Sequence, residues 1–236
     1  MRTALTCAVA VALVAPVANA YTQYTMTQAG FSPTWVQYTQ HFVGTGGSGI
    51  SYGQTSGGNP GEHRAFETAV NAAAPGQHSA YYISLLFANS YDPATQGAIP
   101  QLTYREDFRT ATSIQYSGPV VRQGGNFYFA PVLVASAANW TSTNLLTLTA
   151  SDFYLVTNNA NLAYGLDTTV NPDFSAAGGV IDFGIFRGST SGPVPGGGGD
   201  SAVGYIDNAQ ITIPAPAVMA VVGCGLLMSR RRRRVG

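Results

Sequence analysis

Lysine is missing from the chain altogether, so its eleven basic residues are all arginine. Six of them lie near the ends, at Arg2 and from Arg230 to Arg234, which leaves Arg64, Arg105, Arg109, Arg122 and Arg187 against all eleven acids and a net charge of −6 for residues 21–213. A lysine-free, acidic surface argues against nucleic acid as a partner, because clustered basic side chains supply most of that affinity. Cysteine is nearly missing too. Cys7 and Cys224 both fall in the terminal segments, so residues 21–213 can form neither a disulfide nor a thiolate metal site. Stability there must come from packing and hydrogen bonds, and aromatic residues at 11% of the chain supply large buried areas.

The motifs of several enzyme classes are also missing. His41, His63 and His78 are far apart in sequence and none belongs to an H-E-x-x-H pair, so a zinc site has no support. The run Gly44-Thr45-Gly46-Gly47-Ser48-Gly49 formally satisfies G-x-G-x-x-G. A dinucleotide site needs a helix to start there, and the glycines and proline that follow do not permit one, so a glycine-rich hairpin loop is expected. Ser48 is not in a G-x-S-x-G elbow.

Two short apolar runs frame the chain. Met1-Arg2-Thr3, an apolar stretch over residues 4–17 and the small-x-small site Ala18-Asn19-Ala20 read as a secretory signal peptide. Pro16 interrupts the stretch, which is short for a bilayer span. Cys7, at the start of that stretch, is badly placed for a lipoprotein signal. The mature chain is expected to begin near Tyr21.

Between the two ends, apolar and polar residues alternate with a period near two over residues 35–43, 80–88, 101–108, 126–134, 145–149, 152–156, 180–187 and 203–213, which predicts strands. Residues 44–61, 90–97, 124–125, 158–161 and 189–200 are rich in Gly, Asn, Ser and Pro and read as turns. Only residues 65–74 hint at a helix. Many short strands with such punctuation predict one all-β domain over residues 21–213, a two-sheet antiparallel β-sandwich, with a signal helix before it and an apolar helix after it.

The chain closes on Pro214-Ala215-Pro216, an apolar run from Ala217 to Met228, and Arg230, Arg231, Arg232, Arg233 and Arg234. Five guanidinium groups resist translocation through hydrocarbon. The 12-residue apolar run is about 18 Å long as a helix, against about 30 Å of hydrocarbon, so it makes a poor permanent span. Proline motif, apolar run and terminal arginines, on a chain that also carries a leader, resemble the PEP-CTERM sorting signals of bacterial exported proteins. The resemblance covers residues 214–236, with Ala215 where that family usually has glutamate. It implies recognition by an exosortase, a membrane-embedded cysteine transpeptidase, and delivery to the cell surface or extracellular matrix. A plain stop-transfer anchor in the membrane is the other reading of the same residues.

Three further stretches, Gly57-Gly58-Asn59-Pro60-Gly61, the segment 118–126 and Gly204-Tyr205-Ile206-Asp207-Asn208, are similar to jelly-roll domains of the carbohydrate-binding and laminin type. That likeness implies that an acid in the last strand, here Asp207, with Asn59 as a weaker partner, helps hold a structural calcium ion through oxygen donors. The other reading of both is a residue that finishes a turn. For glycan binding the aromatics Trp35, Tyr38, Tyr82, Tyr104, Tyr128 and Trp140 are available, but alternation does not say which of them face out. Glu62, Glu67, Glu106 and Asp107 could supply the acid pair of a glycosidase. Adjacent Glu106 and Asp107 point to opposite faces of a strand and cannot themselves flank one substrate. The expected role is a non-catalytic structural or adhesive protein that binds polysaccharide; the alternative is a secreted glycan-active enzyme on the same fold.

Overall fold

The computed structural model describes residues 21–25, 35–113, 115–134, 137–192 and 199–214. The expected leader, the apolar run and the terminal arginines lie outside them. In chain order the strands are β1 (Tyr21–Thr25), β2 (Trp35–Val43), β3 (Gly47–Gly58), β4 (Gly61–Val70), β5 (Ser79–Tyr91), β6 (Leu102–Thr110), β7 (Gln115–Gln123) and β8 (Asn126–Phe129). They continue as β9 (Val132–Val134), β10 (Thr141–Ser142), β11 (Leu146–Leu148), β12 (Tyr154–Val156), β13 (Leu166–Asp167), β14 (Ile181–Ser191) and β15 (Asp200–Pro214). A single helical turn, α1 (Pro93–Gln96), is capped by Asp92, whose side chain accepts from the Ala94 amide.

The expected antiparallel two-sheet sandwich is what these strands build. Sheet A runs β10-β6-β15-β4-β3, with β1 added along the end of β15 and β11 along β6. Sheet B runs β13-β12-β8-β7-β14-β5-β2, with β9 on β7. In the β1–β15 pair Tyr21 lies opposite Pro214.

The core between the sheets follows from alternation. Phe66, Leu102, Tyr104, Ile206 and Ile211 point inward from sheet A and meet Tyr81, Ile83, Leu85, Val121, Phe183 and Ile185 from sheet B. Full burial of each such side chain stabilises by about 1.5–3 kcal/mol relative to exposure. A polar seam crosses this core. The Arg187 and Glu106 side chains, both fully buried, form an ion pair at 3.1 Å. Tyr104 and Ser117 donate their hydroxyls to the same carboxylate at 2.5 and 3.0 Å. Such a pair is costly to desolvate, and breaking it on one side leaves a bare charge inside the protein.

Two stretches behave differently from their sequence pattern. Residues 44–61, expected as turn, contain the whole of β3, and the helical hint at residues 65–74 overlaps β4, whose burial alternates as a strand's does. The glycines of β3 serve close approach. A Cβ on Gly47 would sit 2.0 Å from the Ala69 carbonyl oxygen and 2.8 Å from Tyr81 Cβ, and one on Gly49 2.8 Å from the Tyr81 ring, so only glycine lets this edge strand lie under Tyr81. The hairpin loop expected at residues 44–49 is instead a corner over residues 44–46, where the chain passes from sheet B to sheet A, followed by the start of β3.

Sheet B also curls. β2 and β8 are four inter-strand steps apart in the sheet order, about 19 Å if the sheet were flat. Yet the His41 ring lies 4.6 Å from Phe127 and 5.2 Å from Phe129. The curl encloses a second apolar cluster, of Val43, Tyr82, Leu86, Val120, Phe129 and Phe186, in which the Phe129 and Phe186 rings stack at 4.1 Å. The outward face of sheet B is thus filled by the protein's own side chains.

Candidate functional site

The open outward face belongs to sheet A, and its geometry centres on the sequence-predicted pair Asp207 and Asn59. These residues are 148 positions apart, and the Asn59 backbone N–H donates to Asp207 Oδ2 at 2.6 Å. Asn59 sits at the tip of the β3–β4 hairpin, where Gly58 pairs with Gly61. A Cβ on Gly58 would stand 2.3 Å from the Glu62 carbonyl oxygen and 2.9 Å from Asp207 Oδ2. Asp207 is buried, 2% exposed. Burial pushes its carboxyl above the ordinary aspartate value, against the amides of Asn59 and Asn208, which favour the charged form.

A bulge in β15 shapes the neighbourhood. Asp207 pairs with Asp107 and Gln210 with Arg105, so β15 spends one more residue than β6 over this interval. Asn208 absorbs it at φ 49°, a left-handed conformation that Asn adopts more readily than most residues. Its amide nitrogen then reaches the Asn59 carbonyl oxygen at 2.5 Å and Asp107 Oδ2 at 2.7 Å. Both partners can only accept, which fixes the orientation of the amide. Ser142 donates its hydroxyl to Asp107 Oδ1. Two aspartates directly opposite each other across a strand pair would repel; here amide donors bond each of them, and the Ser142 hydroxyl from β10 bonds Asp107 from the other side.

Calcium takes six to eight oxygen ligands. As placed, Asp207 accepts from two backbone amides, and the acceptors of Asn59 and Asp107 converge on an amide nitrogen. Among the described residues no three His, Cys, Asp or Glu side chains gather in a metal-binding group. The residues present do not fit a calcium ion in this arrangement; they close a hydrogen-bond network that ties the β3–β4 hairpin to the bulge.

Beside this network lies a cleft of about 530 Å³, lined by Gln23, Thr25, Arg105, Glu106, Asp107, Ser142, Thr143, Leu145, Asn208 and Gln210. Its volume lies in the range of small-molecule sites. Arg105 Nε donates to Gln210 Oε1 at 2.6 Å, which holds both side chains across the floor. Farther along the same face, the Arg109 guanidinium lies over the Tyr205 ring at 4.5 Å and the Trp140 ring at 5.4 Å. Trp140 is held in turn by its indole N–H, which donates to the Gly57 carbonyl at 2.8 Å. His63 packs edge-on to Trp140 and Tyr205. It is 3% exposed and neither ring nitrogen makes a well-formed hydrogen bond. Burial and the Arg109 charge lower its pKa, against a smaller pull from Asp207.

Of the other sequence candidates, Glu106 points into the core and Asp107 out to the cleft, on opposite faces as the alternation requires. Glu67 accepts from the Tyr52 hydroxyl at 2.5 Å. Tyr82, Tyr104 and Tyr128 are core residues, and the side chains of Trp35 and Tyr38 lie outside the described set. His41 and His78 each pack against their own aromatic partners and join no common site. Sequence reasoning missed Arg105, Arg109, Asn208 and Gln210. Only the cross-strand register brings them together, and the one local signal was an Asn after Asp207, suited to a bulge.

No protein-family model matches the chain, and no curated protein does. Among solved structures it is similar to two family 11 carbohydrate-binding modules of Clostridium thermocellum. One is in complex with a beta-1,3-1,4-mixed-linked tetrasaccharide, at 9% identity and TM-score 0.44, covering 80% of this chain and 94% of that one. The other is the module of the cellulosomal cellulase Lic26A-Cel5E, at 10% identity and TM-score 0.45, covering 83% and 96%. A third is TmCBM61 with beta-1,4-galactotriose, at 10% identity and TM-score 0.34, covering 77% and 88%. At such identities and scores none of these likenesses carries the site or its ligand.

Proposed function

We propose that this is an exported, surface- or matrix-associated protein whose sandwich binds polysaccharide without turning it over. Binding is through the cleft on the outward face of sheet A. The observation that carries this reading is the lining of that cleft. Arg105, Ser142, Thr143, Asn208 and Gln210 bring polar side chains suited to sugar hydroxyls to an outward face that, unlike that of sheet B, is not closed over by an apolar cluster. The oligosaccharides named with the similar modules belong to those proteins; the reading for this chain rests on the cleft.

A glycosidase would need an acid and a base set across a scissile bond. The acids here are differently employed: Glu106 is paired inside the core, and Asp107 and Asp207 are held by amides and a hydroxyl. We further propose that Pro214, Ala215 and Pro216, the run from Ala217 to Met228 and the arginines Arg230 to Arg234 form a sorting tail processed by an exosortase-type enzyme. The full chain should bind a polysaccharide on a glycan array and release no reducing ends from it. Asn208→Ala combined with Gln210→Ala should weaken that binding about tenfold or more. Turnover abolished by replacing a single carboxylate would replace the binding reading with the enzymatic one. For the tail, mass spectrometry of the mature protein should find a new C-terminus near Pro216; intact terminal arginines would count against processing.

A further inference from the structure

The arginines of residues 21–213 are not equivalent. Arg187 is paired with Glu106 and Arg122 with Asp182, while Arg64 donates to Ser51 at the edge of sheet A. Arg105 and Arg109 have no carboxylate partner among the described residues, and they are the two that share the outward face of β6 with the cleft. Arg105 is exposed, and only its Nε is engaged, by a neutral amide. Arg109 is half-buried and lies over two rings, with no hydrogen bond to another described residue. Four residues apart on one strand, the two guanidinium groups are rooted about 13 Å from each other, a spacing suited to a polymer rather than to a single small anion.

The same contacts decide what kind of sugar is favoured. A neutral glycan is held chiefly by laying its C–H faces on open aromatic rings. Here the Arg109 guanidinium lies over the Tyr205 and Trp140 rings, so a sugar approaching those rings meets a planar cation able to grip an oxyanion with two parallel N–H bonds. Asp107 lies between the arginines, but Ser142, Asn208 and Asn59 turn both of its oxygens toward themselves. Asp207 is buried beneath. An acidic domain that keeps two arginines without carboxylate partners among the described residues on the outward face of one strand presents them to a ligand of opposite sign.

We infer that the polysaccharide bound on this face is anionic, carrying carboxylate or sulfate groups that Arg109 and Arg105 recognise. The inference rests on the cleft being a polysaccharide site. It is tested with the full chain by measuring affinity for polygalacturonate, dextran sulfate and a neutral mixed-linked β-glucan. At least one acidic polymer should bind more tightly than the glucan; preference for polygalacturonate assigns carboxylate recognition, and preference for dextran sulfate assigns sulfate. Arg109→Gln should lower acidic-polymer affinity about tenfold or more, Arg105→Gln by less, and Arg109→Lys should restore only part of the loss, because a point charge lacks the planar fork. Circular dichroism verifies folding of each variant, and Arg109→Lys, which keeps charge and stem, serves if Arg109→Gln does not fold. Tighter binding of the neutral glucan, undisturbed by Arg109→Gln but weakened by the Asn208 and Gln210 substitutions, would overturn the anionic inference and leave the cleft as a glycan site. Binding to none of the polymers, or binding untouched by all of these substitutions, would remove both.

Discussion

The outward face of sheet B carries Tyr82, Phe129 and Phe186, whereas that of sheet A carries Arg105, Asp107, Tyr205 and Gln210. Both sheets are antiparallel and each buries its other face in the common core. The difference comes from shape. Sheet B curls until β2 meets β8, and its outward side chains find one another and exclude water; sheet A stays open, and its outward side chains are left to bond among themselves and with a ligand. A half-buried strand and a doubly buried one can therefore belong to the same sandwich, and β5, buried along nearly its whole length, is the second kind.

This contrast can be broken most forcefully on the curled side. Phe129→Ala should destabilise the domain by about 3–5 kcal/mol in urea denaturation, while any variant that still folds should bind glycan as before. A loss of affinity with unchanged stability would show that the curled face is the binding face.

The curl should also respond to pH. His41, with Nε2 2.8 Å from Ser84 Oγ and its ring against two phenylalanines, has its pKa lowered by burial from 6.5 to about 4. The unfolded chain binds this proton first, so the contribution is fully present above pH 6.5 and is lost as pH falls toward 4. The loss should reach up to about 3 kcal/mol. Urea midpoints compared at neutral pH and near pH 4.5 should show the fall, and His41→Gln should flatten that part of the profile; an unchanged slope would mean the ring is not desolvated as described.

The smallest effect is expected on the open side. Asp207→Ala strips the acceptor from two backbone amides and should cost about 1–3 kcal/mol. It should weaken glycan binding as well, because Asn208 loses the partner that fixes the bulge. Stability lost without any change in binding would separate the network from the cleft.

Much of the architecture was legible because alternation is a local property. β2 occupies residues 35–43 as predicted, and the strands read at residues 80–88 and 203–213 form the interiors of β5 and β15. The segment 126–134 was read as one strand but divides at Ala130-Pro131, where proline has no amide to give the ladder. Glycine concealed β3, since its value there lies in the approach of Tyr81 from the other sheet, a contact without trace in the local pattern. At the site, Asp207 and Asn59 were readable as a pair of oxygen-bearing residues near turns. Their task, one carboxylate accepting from two amides, depends on a hairpin tip meeting a bulge. Glu106 was readable as an acid on a strand, and nothing adjacent to it announced that Arg187 would come from the opposite sheet to neutralise it.

The pairing of Tyr21 with Pro214 has a mechanical consequence. There the start of β1 and the end of β15 lie side by side, joined by ladder hydrogen bonds that run across the strands. A load pulling those two strand ends apart would meet the bonds one after another and peel β1 away like a zip, while a load on β15 alone would be shared by β4 over residues 200–206 and by β6 over residues 204–212. Anchored by one end, the domain resists as a sheet; held by both, it opens at its weakest seam.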